Sequence, residues 1–509
     1  MTHDRLDFLL ATDAMLTALI KTKEPEFAPK CCTFQSRVCT PDVRIHQRSI
    51  DLSCRRNPYP YPTPVYTTHG RRCPRTPYMP KCRDKTEDCI AGHHVTMSKA
   101  KETVVLAYSG GLDTSCILVW LQEQGFDVVA YLANLGQDED FEGARKKATK
   151  LGAKEVVIED QRQELIRNFV WPAVSADLIF EDRYLLGTAL ARPCIVRGII
   201  DVAKRVGAGY ISHGATGKGN DQVRFELGCY ALCPEIKIIA PWKDPNFYKR
   251  FPGRQELFEY AREHGIPLPV TPKCPWSIDA NMVHVSYESG ILENPATHPP
   301  EGIFQMTTDP EKAPDIPQVL TITFNKGLPS SVVIVGDATQ VRDPLEIFCV
   351  CNSVGAKHGV GRTDIVENRF VGLKSRGIYE TPGLTILRAA HLDLEALCLD
   401  REVRKIKAYL STRMSEMVYN GLWYSPEFEF TRHCISQSQK QVTGSVTLKV
   451  YKGNVYVLGR SAPVSLYNQE LVSMDVQGDY EPGDAHGFIK INAVRLREHE
   501  RVKQIAKST

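Results

Sequence analysis

No stretch of this sequence approaches the roughly 18 to 20 consecutive apolar residues that a membrane-spanning helix needs. A membrane partner is therefore not expected. The opening residues lack the basic start, apolar core and small-residue cleavage site of a secretory signal, and Asp4 and Asp7 disfavour a mitochondrial presequence, so a cytosolic protein is expected. Charge of one sign is also scarce. Net charge is +3 over 509 residues, too little to imply nucleic acid, and it is unevenly placed: residues 1–96 carry 15 Lys and Arg against 10 Asp and Glu, the remainder 48 against 50.

Paired cysteines are missing as well. Seven of the 16 cysteines fall in residues 1–96 at irregular intervals without C-x-x-C spacing, so no metal site is assigned there. The other nine lie mostly inside apolar runs such as "SCILVW" and "IFCVCN" and read as reduced, buried thiols. Residues 1–96 hold ten prolines and the run "NPYPYPTPVY", which favours extended polyproline geometry over a packed core; this segment is expected to be largely disordered. Met97 stands six residues before the first predicted strand, where an independent chain could begin.

From Thr103 the texture changes. "TVVLAY", "DVVAYLAN", "KEVVIED", "AGYISHG" and "EIKIIAPW" read as short strands, separated by segments of helical spacing such as "TSCILVWLQEQ" and "ARPCIVRGIIDVAKRVG". Strand and helix in alternation predict an α/β fold with a parallel sheet covered on both faces, whose ligands bind at the carboxyl ends of the strands. Beyond the Pro-rich "GIPLPVTPKCPW" an α+β region is expected. "LTITFNKG" with "SSVVIVGD", and "SVTLKVYKGNVYVLGR", read as antiparallel hairpins; "LEIFCVCNSVGAKHG" and "RAAHLDLEALCLDREVRKIKAYLS" each read as a helix. The closing "NAVRLREHERVKQIAKS" reads as a basic helix with Val494, Leu496, Val502 and Ile505 as its apolar anchors.

The stretch "AYSGGLDTS" falls between the first strand and the first helix. Gly110 and Gly111 let the backbone approach an anion closely, Ser109, Thr114 and Ser115 add hydroxyls, and the helix start contributes free N–H groups: a phosphate cradle. No lysine follows the glycines, which excludes a Walker loop, and G-x-G-x-x-G is absent, which excludes the dinucleotide fingerprint. "HGATGKGND" holds a GK pair, but Gly219 stands where Ser or Thr is required. His213 and His358 are given no role, because a histidine beside a glycine turn is more often structural.

S-G-G-x-D-[ST]-[ST] after a strand resembles the loop of the N-type ATP pyrophosphatases, which cleave ATP between the α and β phosphates. "EDRYLLGT", "ARP", "SHGATGKGNDQVRFE", "TPKCPWSID", "KHGVGRTDIVENRF", "KSRGIYETPG" and "QGDYEP" resemble, in order, the argininosuccinate synthase family. The resemblance implies MgATP as substrate with no tightly bound cofactor, and citrulline and aspartate as the molecules joined, through citrullyl-AMP with release of pyrophosphate. It places Ala107, Tyr108, Ser109, Gly110, Gly111, Leu112, Asp113, Thr114 and Ser115 around the ATP phosphates, with Ala133 and Gly214 beside the nucleotide. Tyr184, Asn220, Arg224, Ser277, Ser286, Glu367 and Tyr379 are implied at citrulline, and Thr216, Asn220 and Asp221 at aspartate. The residue types suit these tasks: Arg224 can grip a carboxylate with its fork, while Glu367 and Asp221 can face ammonium groups. No catalytic nucleophile is assigned, because adenylation needs positioning and charge stabilisation.

By the same resemblance, residues 97–264 would form the ATP-binding domain, 265–470 the synthetase domain and 471–509 an oligomerisation arm and helix, in a homotetramer. One departure stands out: the family commonly reads Thr-Ser at the end of "YLLGT", whereas Thr188 is followed by Ala189. A tRNA-thiolating member of the same superfamily would usually carry a basic RNA face, which the charge balance after residue 96 does not offer. An inactive scaffold that kept the nucleotide fold is the non-enzymatic alternative.

Overall fold

The computed structural model describes residues 101–267, 275–337 and 340–508. The expected disorder of residues 1–96 lies outside the described residues. The first strands are the β-branched runs: β1 (Thr103–Ala107), β2 (Asp127–Asn134), β3 (Glu155–Asp160), β4 (Tyr210–Ser212) and β5 (Lys237–Ile239). All four pairings are parallel, in the order β3-β2-β1-β4-β5. Alternate residues serve opposite faces. Val104, Leu106, Val128 and Ala130 join a core with Leu112, Cys116 and Leu121 of helix α1 (Leu112–Glu123). Val105, Val129 and Tyr131 join a second core with Val196, Ile199 and Ala203 of a later helix, Gly187–Val206. The expected doubly covered sheet is present.

Chain order reverses at β1, which has β2 on one side and β4 on the other. A crevice opens at such a reversal, outside the carboxyl ends of the two strands. Leu106 lies opposite Ser212, so the glycine turn after β1 and the "HGATGKGND" loop after β4 leave the sheet side by side.

After residue 275 the sheets are antiparallel. β6 (Ser277–Ala280), β7 (Val285–Glu288), β11 (Arg362–Asn368) and β12 (Lys374–Glu380) form one, in the order β11-β12-β7-β6. The other has the order β10-β9-β8-β13-β14, where β8 is Gln318–Asn325, β9 Leu328–Ile334, β10 Gln340–Val341, β13 Gly444–Tyr451 and β14 Asn454–Ser461. Both predicted hairpins are found. Leu320, Ile322 and Phe324 of β8 and Val446, Leu448 and Val450 of β13 turn one face onto helical residues including Phe348, Leu387 and Leu394.

Three expectations need correction. The segment from Arg388 to Ser411 read as one helix is two, Pro382–Cys398 and Arg401–Tyr419. Leu399 is extended, and the Asp400 carboxylate accepts the N–H groups of Glu402 and Val403, an N-cap that starts a new helix where the periodicity had suggested continuation. The terminal helix begins at Pro482, ten residues before the predicted Asn492, and none of its residues is buried. The eight described cysteines after residue 96 are all free, as expected, but Cys349 is exposed while its neighbour Cys351 is buried.

Candidate functional site

The glycine turn follows from its backbone demands. Gly110 has φ of +71°, a left-handed conformation that a side chain strains, and a Cβ there would sit 3.1 Å from Cβ of Ala144. The first helical bond of α1 runs from Ser115 N–H to Gly111 C=O at 3.1 Å, and no side chain caps the helix start, so the N–H groups ahead of it lack helical partners. Ser109 Oγ lies 3.1 Å from Thr114 Oγ1, which accepts Ser109 N–H at 3.3 Å, bracing the loop from within. Lys147 Nζ donates to Gly110 C=O at 2.8 Å. A lysine does serve this turn, but it comes from the helix Phe141–Lys150 and ties down the loop carbonyl, so motif reading missed it.

Two cavities meet at the crevice. The larger, about 540 Å³, is lined by Ala107, Tyr108, Ser109, Thr114 and Ala133, among others. The smaller, about 230 Å³, is lined by Tyr184, Thr216, Asn220, Arg224, Ser286, Glu367 and Tyr379, with others. Gly214, Arg192, Asp221 and Asp279 border both. Of the residues singled out in the sequence, Ala107, Tyr108, Ser109, Thr114 and Ala133 thus line one space, Tyr184, Thr216, Asn220, Arg224, Ser286, Glu367 and Tyr379 the other, and Gly214 and Asp221 both.

The remainder stand outside the lining. Leu112 is packed in the core beneath the turn, and Ser115, expected as a phosphate donor, is fully buried with its hydroxyl 3.1 Å from that of Tyr108. Gly110, Gly111 and Asp113 belong to the turn and helix start without lining the larger cavity. Ser277 lies exposed on the edge strand β6 and borders neither space. Burial raises the carboxyl of Asp113, with Arg254 opposing the effect.

In the smaller cavity, Glu367 is anchored by two phenols: Tyr379 donates to Oε2 at 2.8 Å and Tyr419 to Oε1 at 2.7 Å. Tyr184 stacks on Tyr379 with centroids 4.2 Å apart. Arg224, 6% exposed, donates through Nε to Tyr419 C=O at 2.9 Å and through Nη1 to Asp221 at 2.8 Å. Phe370 N–H donates to Asn220 Oδ1 at 3.0 Å, and Ser286 Oγ donates to Asp279 C=O at 3.3 Å. Register sets Ser286 opposite Tyr379, so the antiparallel sheet presents one wall to the cavity.

Between the cavities, Arg192 donates to Asp221 at 2.9 Å and to Asp279 at 2.7 Å. Burial would raise the Asp221 carboxyl, but Arg192 and Arg224 overcome that and hold it at about 2. Two cations and two anions are therefore locked into a charged seam where the spaces join. Arg192 and Asp279 lie inside quoted strings, "ARP" and "TPKCPWSID", yet neither was given a role; an arginine amid the apolar "ALARPCIV" was the available signal.

A glycine turn with no lysine in its own motif, set at the reversal of a parallel sheet and opening onto a second cavity lined with carboxylates and guanidinium groups, is an arrangement suited to an ATP-dependent ligase. The family described as "Arginosuccinate synthase N-terminal HUP domain" matches residues 103–267, and "Arginosuccinate synthase C-terminal domain" matches 276–499. Argininosuccinate synthases from Danio rerio, Xenopus laevis and Homo sapiens are 65%, 64% and 63% identical to this chain over 409, 408 and 404 residues. These alignments cover 80%, 80% and 79% of this chain and 99%, 99% and 98% of the relatives. The chain belongs to the argininosuccinate synthase family.

Proposed function

We propose that this protein joins citrulline to aspartate, with ATP cleaved to AMP and pyrophosphate. The observation that carries the reading is the junction of the two cavities at Arg192, Asp221 and Asp279. ATP occupies the larger space, with its phosphates toward the turn Ala107–Ser115. Citrulline occupies the smaller, its carboxylate on Arg224 and its ammonium toward Glu367, with Tyr184, Asn220, Ser286 and Tyr379 around it; Ser277, outside both spaces, is given no contact with it. The ureido oxygen attacks the α-phosphorus, pyrophosphate leaves, and the carbon of the resulting citrullyl-AMP becomes open to attack by the aspartate amine. Thr216, Asn220 and Asp221 hold aspartate for that second step. A ureido carbon is a poor electrophile, and placing its oxygen beside phosphorus at a charged seam supplies what the reaction needs: proximity and stabilisation of developing charge.

Mg²⁺ enters with ATP. Among the described residues no cluster of three or more His, Cys, Asp or Glu could cage a metal, while Asp138 and Glu139 border the larger cavity. That donor set suits an ion carried chiefly by phosphate oxygens. Purified protein given ATP and aspartate should release pyrophosphate only when citrulline is added; citrulline-independent release would oppose the reading.

Ala189 is 1% exposed and brings no hydroxyl. Restoring one by Ala189→Ser should lower the KM for citrulline by roughly two- to tenfold, the value of one added hydrogen bond. Steady-state kinetics at saturating ATP and aspartate check this; an unchanged KM would show that the hydroxyl does not reach citrulline.

We further assign a homotetramer, a cytosolic location and an oligomerisation role for the terminal helix. On that helix Phe488, Ile491 and Leu496 are 70%, 75% and 58% exposed, more apolar surface than a free-standing helix leaves to water. The eight described cysteines, all free thiols, suit a reducing compartment. Removing residues 482–509 should shift the sedimenting species to a smaller assembly, whereas an unchanged mass would oppose the assignment. Among the described residues no helix is long and apolar enough to cross a membrane.

A further inference from the structure

His284 is fully buried, and three features fix its ring. The side-chain oxygen of Asn281 accepts the N–H groups of Val283 at 2.8 Å and His284 at 3.2 Å, folding the chain sharply before β7. Gly187, where the helix Gly187–Val206 starts, gives the ring room: a Cβ there would lie 2.2 Å from the imidazole Cγ. The third feature is a hydrogen bond, His284 Nε2 to Thr188 Oγ1 at 2.8 Å.

The proton inventory gives that bond its direction. Thr188 Oγ1 donates its single proton to Asp279 Oδ2 at 3.1 Å, and a carboxylate can only accept. The hydroxyl therefore accepts from histidine, so Nε2 carries hydrogen and Nδ1 is bare. Burial drives the imidazole down to about 4, which keeps it neutral at pH 7. From Asp279 the chain continues to Arg192 at 2.7 Å, from Arg192 to Asp221 at 2.9 Å and from Asp221 to Arg224 at 2.8 Å.

Nδ1 of His284 is buried without a hydrogen-bond partner among the described residues. An apolar side chain of similar size would fill the space without that penalty. The ring instead spends its one polar contact on the threonine that supports Asp279.

We propose that His284 is a positioning residue for adenylation: through Thr188 it holds Asp279, and so Arg192, at the junction of the ATP and citrulline spaces. The proposal rests on the ligase reading of those spaces. His284 touches no substrate; its effect is on the geometry of the arginine.

The test is a double-mutant cycle with unfolding midpoints recorded for each protein. His284→Leu removes the donor and keeps the bulk. It should lower kcat on the order of tenfold while leaving the KM for ATP within about twofold, and His284→Gln, whose amide nitrogen can replace Nε2, should restore most of the loss. In the Asp279→Asn background, His284→Leu should add little further loss. Additive losses, a glutamine variant as poor as leucine, or full activity in a folded leucine variant would each overturn the proposal. Should the leucine variant not fold, the imidazole ¹⁵N shifts of the unaltered protein decide: hydrogen on Nε2 supports the relay, and hydrogen on Nδ1 refutes it. Absence of citrulline-dependent pyrophosphate release by the unaltered protein would count against the ligase reading alone, because the tautomer is read without turnover.

Discussion

Arg224→Ala should lower kcat/KM for citrulline by roughly 30-fold to several thousand-fold, corresponding to about 2–5 kcal/mol for removing one member of a buried, hydrogen-bonded charge pair. The size of the effect comes from three losses at once. The substrate carboxylate loses a charged fork, Asp221 loses one of its two arginines, and Tyr419 C=O loses the Nε donor at 2.9 Å. Arg224→Lys should fall between, since a lysine keeps the charge but cannot reproduce the planar set of donors. The KM for ATP should change little, because Arg224 borders only the smaller cavity. Initial rates varied separately in citrulline and ATP provide the check; a larger effect on ATP would contradict the division of the site.

Lys407→Met should destabilise the fold by about 3–5 kcal/mol, the usual consequence of stripping one partner from a buried ion pair. Lys407 and Glu395 are 3% and 2% exposed, with Nζ 2.5 Å from Oε1. Gln439 also donates to that oxygen, at 2.6 Å, and its own carbonyl oxygen lies 2.9 Å from His391 Nε2, so the network pins two consecutive helices to a third segment. Without Lys407 the carboxylate keeps Gln439 but no countercharge. Adding Glu395→Gln should return part of the loss by removing the stranded charge. Urea midpoints at equal protein concentration measure both; a single variant as stable as the original would show that water reaches the pair.

This pair marks where sequence reading stops. "DREVRKIKAYLS" reads as a basic, solvated helix, and nothing local distinguishes Lys407 from its exposed neighbours. The parallel sheet was legible because each strand is a short apolar run whose two faces are both covered. The glycine turn was legible because its glycines and hydroxyls are contiguous. By contrast β11, "RTDIVEN", carries Glu367 toward a polar cavity, so apolar alternation does not announce it as a strand. Residues lining the smaller cavity were reachable only as family strings, since their strand register joins positions far apart in the chain. Arg192 and Asp279 are 87 positions apart, and only the folded chain shows that they share a seam.

Citrulline labelled with ¹⁸O at the ureido oxygen offers the most direct measurement of the central claim, that this oxygen attacks the α-phosphorus beside the glycine turn. After turnover with ATP and aspartate, the label should appear in the phosphate of AMP, with unlabelled pyrophosphate in equal amount. Label in orthophosphate, with ADP formed in place of AMP, would contradict the account.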